Sequence, residues 1–143
     1  MRKFASCSSY EGVLLPERST KTSAGYDFYA PYDFDIPPGE SLMIWSQVKC
    51  YMERDDVLIL MPRSSMGRYG IRFANTVGVI DSDYVDNPKN EGEIAFPFVN
   101  TGNATWIVKK GDKIAQGIFT KYLVTDDDNV TAERTGGFGS TGR

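Results

Sequence analysis

The sequence of 143 residues contains no histidine and only two cysteines. The absence of histidine excludes Ser-His-Asp triads, histidine metal sites and histidine general bases, so any proton abstraction falls to a carboxylate, Tyr, Lys or Cys. Cys7 and Cys50 are far apart and form no C-x-x-C pair. They indicate neither a disulfide framework nor a zinc site, and we expect two free thiols.

The sequence also lacks a long hydrophobic run. Its longest aliphatic stretch, Val57 to Met61, is far too short to span a membrane, and the N-terminus has no apolar core of a signal peptide. The net charge of −3 offers no general attraction for nucleic acid or an anionic membrane surface. We therefore expect an intracellular protein, cytoplasmic if bacterial or viral, that binds neither nucleic acid nor membranes.

Helical periodicity is scarce, whereas short β-rich runs separated by turn residues recur along the chain. The pattern predicts an all-β fold, a sandwich or a jelly-roll-like β-barrel, in a single domain. The predicted strands are Gly25–Ala30, Glu40–Tyr51, Asp56–Met61, Ile71–Phe73, Val77–Ile80, Glu93–Asn100, Thr105–Val108 and Ile114–Val124. Only Ser64–Tyr69 is predicted to form a helical turn, and the polar segment Asp86–Glu91 is predicted to be a loop.

The C-terminal residues have the composition of a tail. We divide the chain into a β-barrel domain, residues 1–130, and a flexible C-terminal arm, residues 131–143, which is rich in glycine and lacks core-forming residues. A solvated end is one interpretation of the arm. The other is a nucleotide-binding cover, because glycines admit phosphate oxygens to the backbone, hydroxyls and arginines bind them, and an aromatic ring stacks on a base.

Four further segments place polar groups beside strands, and each also has a purely structural explanation. Pro62–Gly67 combines an arginine with two serines, as in an anion site or a simple helix cap. Asn75–Tyr84 holds an apolar run between polar ends, as in a ligand-binding strand or an ordinary hairpin. Ala24–Ala30 carries one aspartate among aromatics, either exposed at a sheet edge or paired with an arginine. Lys110–Gln116 is typical of a hairpin turn entering a strand.

Taken together and in order, five segments resemble the five motifs of the trimeric dUTPase family, over most of the chain. They are Ala24–Asp27, Pro62–Ser65, Gly78–Tyr84, Gly111–Gln116 and Gly137–Gly142. The resemblance implies a jelly-roll-like subunit of a homotrimer, with active sites shared between subunits and closed by the C-terminal arm. The implied activity is hydrolysis of dUTP to dUMP and pyrophosphate, which limits uracil incorporation into DNA and supplies dUMP for dTMP synthesis.

The resemblance also implies roles around the base and the sugar. Asp81 is expected to be the general base that activates the water attacking the α-phosphate, and Tyr84 to pack on the deoxyribose. Asn75 and the backbone of Val77, Gly78 and Val79 are expected to read uracil. Phe138 is expected to cover it. Carboxylates are ionised at neutral pH, so an aspartate can accept a proton from the attacking water.

A second group is implied around the triphosphate. Arg63 and Ser64, as catalytic residues, are expected to hold it together with Ser65 and Gln116, and Arg134 to neutralise the terminal phosphate. Asp27 is expected to contact Mg²⁺ through water, since Mg²⁺ favours waters and phosphate oxygens. The last expected substrate contacts come from the arm, at Gly139, Ser140 and Thr141.

Two departures from the family pattern stand out, an insertion at Asp86–Glu91 and a fifth motif shorter by one residue between Arg134 and Phe138. Two other functions remain open. A dCTP deaminase of the same fold is one, although its deamination motif is not apparent. A regulatory protein that binds a partner through the inserted loop is the other.

Overall fold

A computed structural model of the chain describes residues 1–137. Twelve strands and one short helix form within these residues. The strands are β1 (Lys3–Ser6), β2 (Glu17–Arg18), β3 (Tyr26–Tyr29), β4 (Phe34–Ile36), β5 (Ser41–Trp45), β6 (Val48–Tyr51), β7 (Asp56–Met61), β8 (Ile71–Phe73), β9 (Gly78–Asp81), β10 (Ala95–Asn100), β11 (Trp106–Val108) and β12 (Lys113–Lys121), and the helix α1 is Ser64–Gly67.

The strands pair antiparallel in four sheets. The largest has the order β2-β3-β12-β7-β9, and a second has the order β5-β10-β8. Two smaller pairs, β1 with β6 and β4 with β11, complete the structure. The all-β, jelly-roll-like prediction is confirmed, and no helix within residues 1–137 is long and apolar enough to cross a membrane.

Aromatic side chains fill the space between the sheets. Phe96 and Phe98 of β10 are fully buried, and their rings contact Phe73 of β8. Phe96 also meets Phe28 of β3 edge to face at 5.2 Å, which joins the two larger sheets. Such aromatic pairs combine a large buried apolar area with a preferred geometry, so this cluster forms the centre of the core.

Several strand predictions match and others do not. Asp56–Met61 and Ile71–Phe73 are confirmed to the residue, and the predicted helical turn appears as α1. The prediction of one strand over Glu40–Tyr51 is wrong, because Gln47 has a φ of +69° and divides the run into β5 and β6. A left-handed residue cannot continue an extended strand.

Three short strands, β1, β2 and β4, lie outside the predicted set. β1 exists because it pairs over four residues with β6, which lies far away in the sequence.

The two cysteines are free and buried, and burial raises the pKa of each thiol to about 12. Both thiols are therefore protonated and shielded at neutral pH. The prediction of two free thiols is confirmed.

Asn100, at the end of β10, is fully buried and makes three side-chain hydrogen bonds. Its amide nitrogen donates to the Ile36 and Ala104 carbonyls, both at 2.8 Å, and its oxygen accepts the Gly102 N–H at 2.9 Å. One side chain thus connects β4, β10 and the turn that follows β10.

Replacing Asn100 with alanine should lower the free energy of unfolding by about 2–4 kcal/mol, because it leaves buried backbone groups without partners. Urea unfolding at a fixed protein concentration measures the change. The exposed neighbour Asn103, changed to alanine, is the matched control and should change the free energy little. Equal stability of the two variants would contradict this role for Asn100.

Candidate active site

The five-stranded sheet places the strands of four motifs side by side. Asp27 of β3 lies opposite Gln116 of β12, and Gln116 lies opposite Met61 of β7. One residue earlier on β7, Leu60 lies opposite Gly78 of β9. Since neighbouring strands are about 4.8 Å apart, the strands that carry or adjoin the four motifs form one continuous band of the sheet.

The first of two clusters on this band surrounds the carboxylate of Asp27. Arg63 Nε lies 3.3 Å from one carboxylate oxygen, and Lys113 Nζ lies 3.4 Å from the other. Ser19 Oγ donates to the carboxylate at 2.7 Å. The Asp27 side chain is only 10% exposed. Two cations and one hydroxyl stabilise its buried negative charge. The cluster carries one net positive charge, which suits an anion.

A side-chain hydrogen bond and a buried methionine hold this cluster beside α1. Gln116 Nε2 donates to the Pro62 carbonyl at 3.4 Å, which connects β12 to the segment that carries Arg63. Met66 of α1 is buried, whereas Ser64 and Ser65 are exposed. The helix is therefore fixed by one apolar anchor and presents both serines to solvent.

The second cluster lines a pocket of about 240 Å³ beside β9. Six of the predicted site residues line it, among them both Asp81 and Tyr84. The six are Asn75, Gly78, Val79, Asp81, Tyr84 and Arg134. Apolar side chains such as Leu60 and Phe73 form the remaining wall, as is typical of a small-molecule site.

A tight turn lies beside the pocket, immediately before β9. Thr76 has a φ of +70°, and the Val77 N–H donates back to the Asn75 carbonyl at 2.8 Å. Val77 and Val79 remain exposed, at 43% and 58%. Gly78 lies close to the Leu60 side chain, where a Cβ would come within 3.1 Å of Leu60 Cβ. The turn therefore places Asn75 and Gly78 in the wall of the pocket.

Arg134 bridges two carboxylates at the pocket. Its Nη2 donates to Asp81 at 2.7 Å, its Nε donates to Asp83 at 2.7 Å, and its guanidinium carbon lies 5.9 Å from the centre of the Tyr84 ring. The side chain is 11% exposed. The structure thus pairs Arg134 with Asp81, and the expected contact of Arg134 with a terminal phosphate stays a prediction.

Tyr84 is held firmly in the pocket wall. It is buried, its hydroxyl donates to the Glu93 carbonyl at 2.7 Å, and it accepts from Asn90 Nδ2 at 3.0 Å. Burial raises the pKa of Tyr84, so its side chain is a neutral phenol at physiological pH. The ring therefore presents a fixed, uncharged face to the pocket.

The segment Asp86–Glu91, which we term the inserted loop, is an ordered turn with strong anchors. Lys49 Nζ donates to Asp86 and to Glu91, both at 2.7 Å. Tyr51 donates to Asp86 at 2.7 Å, and the Ser8 N–H and hydroxyl donate to Glu91. The loop prediction is confirmed. Its acidic side chains are bonded within the chain, and a protein partner at this loop stays a prediction.

The structure thus brings most of the predicted site residues that it describes into two groups. Arg63 lies beside the Asp27 carboxylate with Gln116 opposite Asp27 on β12, and the six pocket residues lie around β9. Ser64 and Ser65 are exposed on α1, and Val77 is exposed and does not line the pocket. Phe138, Gly139, Ser140 and Thr141 lie outside the described residues. Sequence reasoning missed Lys113 as a partner of Asp27, although Lys113 belongs to the fourth motif. The hydrogen bond from Asn90 of the inserted loop to the Tyr84 hydroxyl was also not predicted.

Comparisons with known proteins agree on one family. A family model described as dUTPase matches residues 12–142. The deoxyuridine 5'-triphosphate nucleotidohydrolase of Lactococcus lactis subsp. lactis is 42% identical over 147 residues, covering 99% of this chain and 98% of that protein.

Solved structures give the same result. The crystal structure of dUTPase from Streptococcus mutans matches with a TM-score of 0.80 and 38% identity, over 86% of this chain and 98% of that one. A mutant dUTPase from phage phi11 of S. aureus, described with a structural Mg(II) ion, has a TM-score of 0.75 over 92% of this chain and 97% of that one. At 19% identity, this second likeness shows the fold alone.

The pKa of Glu91, lowered to about 2 by its hydrogen bonds to Lys49 and Ser8, predicts a pH dependence. The carboxylate ordinarily titrates near 4.5, so its stabilising effect is complete above that pH and is lost as the pH falls towards 2. Glu91→Gln should therefore be less stable than the wild type near neutral pH, and the difference should shrink in acid.

Urea unfolding at several pH values, with the exposed Glu11→Gln as control, measures this difference. A gap between wild type and Glu91→Gln that stays constant down to about pH 2 would contradict the role of Glu91 as a charged anchor.

Proposed function

The chain belongs to the dUTPase family, and we propose that it hydrolyses dUTP to dUMP and pyrophosphate. The observation that carries the proposal is the pocket beside β9, which combines an exposed backbone turn, the fixed ring of Tyr84 and the carboxylate of Asp81. These are a base-reading edge, a sugar-packing face and a proton acceptor. Selection and cleavage of a deoxynucleotide require all three features.

Selection of uracil follows from the turn at Asn75 to Val79. Backbone donors and acceptors matched to uracil are left unpaired against another base, which costs about 1–3 kcal/mol for each buried group. Tyr84 selects the sugar in a different way. Because its hydroxyl is bonded to the Glu93 carbonyl, its ring does not turn aside to admit a 2′-hydroxyl.

Hydrolysis requires an attacking water and a base for its proton. Asp81 is 56% exposed at the end of β9, so water reaches it directly. In the proposed reaction, Asp81 accepts a proton from the water that attacks the α-phosphorus, and pyrophosphate leaves. Phosphoryl transfer of this kind depends chiefly on positioning and charge neutralisation.

The cluster around Asp27 is proposed to hold the triphosphate. Arg63 supplies a guanidinium, Ser64 and Ser65 supply hydroxyls, and Gln116 supplies an amide. Lys113 adds a second cation that the sequence motifs alone did not assign to the site. A group of three or more His, Cys, Asp or Glu suited to a metal does not occur within residues 1–137.

This donor set fits Mg²⁺ bound mainly by phosphate oxygens and waters, which is its usual state in phosphate sites. Asp27 would contact such an ion through water. When bound, the ion would neutralise part of the negative charge of the triphosphate.

A homotrimer with sites shared between subunits is proposed as the active assembly. In this arrangement, the β9 pocket of one subunit lies against the Asp27 cluster of another, and the C-terminal arm, including Phe138 to Thr141, closes over the substrate. The division into a domain of residues 1–130 and an arm of residues 131–143 belongs to the same proposal.

The function is tested by incubating the protein and Mg²⁺ separately with dUTP, dCTP, dTTP and UTP. We expect pyrophosphate and dUMP from dUTP, and far slower hydrolysis of the other three. Ammonia released from dCTP would identify a deaminase instead. A lack of turnover in every tube would contradict the proposed function.

Changing Asp81 to asparagine should lower kcat for dUTP by at least about a hundredfold, because general-base catalysis contributes about 10²–10⁴-fold. Nucleotide binding, measured by calorimetry, should persist. The matched control is Asp128→Asn, at an exposed aspartate outside the pocket, which should keep normal turnover. Near-normal turnover by Asp81→Asn would refute the role of Asp81.

Shared sites predict complementation between two inactive variants. If each site takes Asp81 from one subunit and Arg63 from another, unfolding and refolding an equal mixture of Asp81→Asn and Arg63→Ala should restore about one quarter of wild-type activity. Each variant refolded alone is the control. Failure of the mixture to regain activity would show that both residues act within one chain.

A further inference from the structure

The inserted loop holds Tyr84 at both ends of the residue. Asn90 Nδ2 donates to the Tyr84 hydroxyl at 3.0 Å, and Asn87 Nδ2 donates to the Tyr84 backbone carbonyl at 2.8 Å. The two loop amides are joined, because Asn87 Nδ2 also donates to Asn90 Oδ1 at 2.7 Å. One network of side chains from the loop therefore contacts both the tip of the ring and the backbone from which the ring projects.

The Tyr84 hydroxyl has a partner for its hydrogen and a second partner for its oxygen. It donates to the Glu93 carbonyl at 2.7 Å and accepts from Asn90. Glu93 is itself fixed, since its carboxylate accepts the Gln47 N–H at 2.9 Å. The two partners differ in kind, because one is backbone and the other is a side chain of the loop. Asn90 is thus the partner that a substitution can remove.

The amide of Asn90 is locked in the orientation that serves Tyr84. Its Oδ1 accepts from Asn87 and from the Gly92 N–H, the latter at 3.0 Å. Because the oxygen is occupied in this way, the amide nitrogen is the atom that faces the Tyr84 hydroxyl. The Gly92 backbone also lies close to Tyr84, where a Cβ on Gly92 would come within 2.7 Å of the Tyr84 carbonyl oxygen.

The loop keeps a strained backbone to hold this arrangement. Asp86 and Glu91, neither of them glycine, have φ values of +59° and +63°. Such conformations persist only where surrounding contacts fix them, and they are concentrated at functional sites. Here the Asp86 N–H donates to the Glu91 carbonyl at 2.9 Å, and Lys49 Nζ lies 2.7 Å from both carboxylates. The loop is therefore a rigid support attached to β6.

We propose that Asn90 is a positioning residue that holds the ring of Tyr84 and thereby determines the preference for deoxyribose over ribose. This inference rests on the proposed function, in which the ring packs on the sugar. A ring held at its hydroxyl by two fixed partners is prevented from receding before an added 2′-hydroxyl. With one partner removed, the ring tilts and admits it. The inserted loop then acts within the chain, as the support of the sugar-binding side of the pocket.

Substrate selection is the first test. Asn90→Ala should lower the ratio of kcat/KM for dUTP to that for UTP by about tenfold, chiefly by raising kcat/KM for UTP. A merely structural role would leave this ratio unchanged, because partial unfolding removes the same fraction of enzyme from both reactions. The matched control is Asn103→Ala, at an exposed asparagine outside the pocket, which should keep the ratio of the wild type.

Tyr84→Phe removes the same hydrogen bond from the other side and leaves Asn90 in place. It should lower the dUTP to UTP ratio by a similar factor. Since Asn90 acts on selection through the Tyr84 hydroxyl, adding Asn90→Ala to Tyr84→Phe should change the ratio no further.

Urea unfolding of the same four proteins, at a fixed protein concentration and without nucleotide, measures the contact independently of activity. Asn90→Ala should lower the folding equilibrium constant about fivefold more in the wild type than in Tyr84→Phe, as for one hydrogen bond. Loss of the Asn87 and Gly92 contacts is common to both backgrounds and cancels in this comparison.

An unchanged dUTP to UTP ratio in Asn90→Ala, additive effects of the two substitutions on that ratio, or equal destabilisation in both backgrounds would overturn the proposal. Should Asn90→Ala fail to fold, Tyr84→Phe decides, and a wild-type ratio in that variant would overturn the proposal. Should the wild type fail to hydrolyse dUTP, the proposed function and the role in sugar selection fall together. The unfolding comparison would then show separately whether Asn90 holds the Tyr84 hydroxyl.

Discussion

The hydrogen-bond register of β12 with β3 and β7 is the constraint on which the rest of the structure depends. Because Gln116 lies opposite both Asp27 and Met61, the first, second and fourth motifs meet at one point of the sheet. A slip of one residue would turn Gln116 into the core and bring the buried Ala115 to the surface. The buried side chains of Ile114 and Ala115 therefore specify the register, and the register specifies the site.

Charge is distributed along the same sheet in a way that suits a triphosphate. One end carries two cations around Asp27, and the other carries the two carboxylates held by Arg134. In the proposed shared site, the phosphates are drawn to the Asp27 cluster of one subunit and the water is activated at Asp81 of another. Arg134 already neutralises Asp81 in the structure, so a phosphate that attracts Arg134 would also release the carboxylate for its role as a base.

The sequence alone predicts much of this arrangement. The fold class, the strands β7 and β8 and the grouping of Asn75 to Tyr84 follow from local patterns and motif order. The short strands β1, β2 and β4 do not, because their two to four residues carry little pattern of their own, and β1 is stabilised by a partner strand far away in the sequence. The anchoring of the inserted loop by Ser8, Lys49 and Tyr51 is equally a tertiary property. So is the contact of Gly137 with Asn90, since nothing local connects an arm glycine with an asparagine 47 residues earlier.

In the proposed reaction, the activated water attacks the α-phosphorus of dUTP and not the β-phosphorus. Hydrolysis of dUTP in water enriched in oxygen-18, with mass spectrometry of both products, tests it most directly. The account predicts one heavy oxygen in dUMP and none in pyrophosphate. A heavy oxygen in pyrophosphate would place the attack at the β-phosphorus and contradict the proposed reaction.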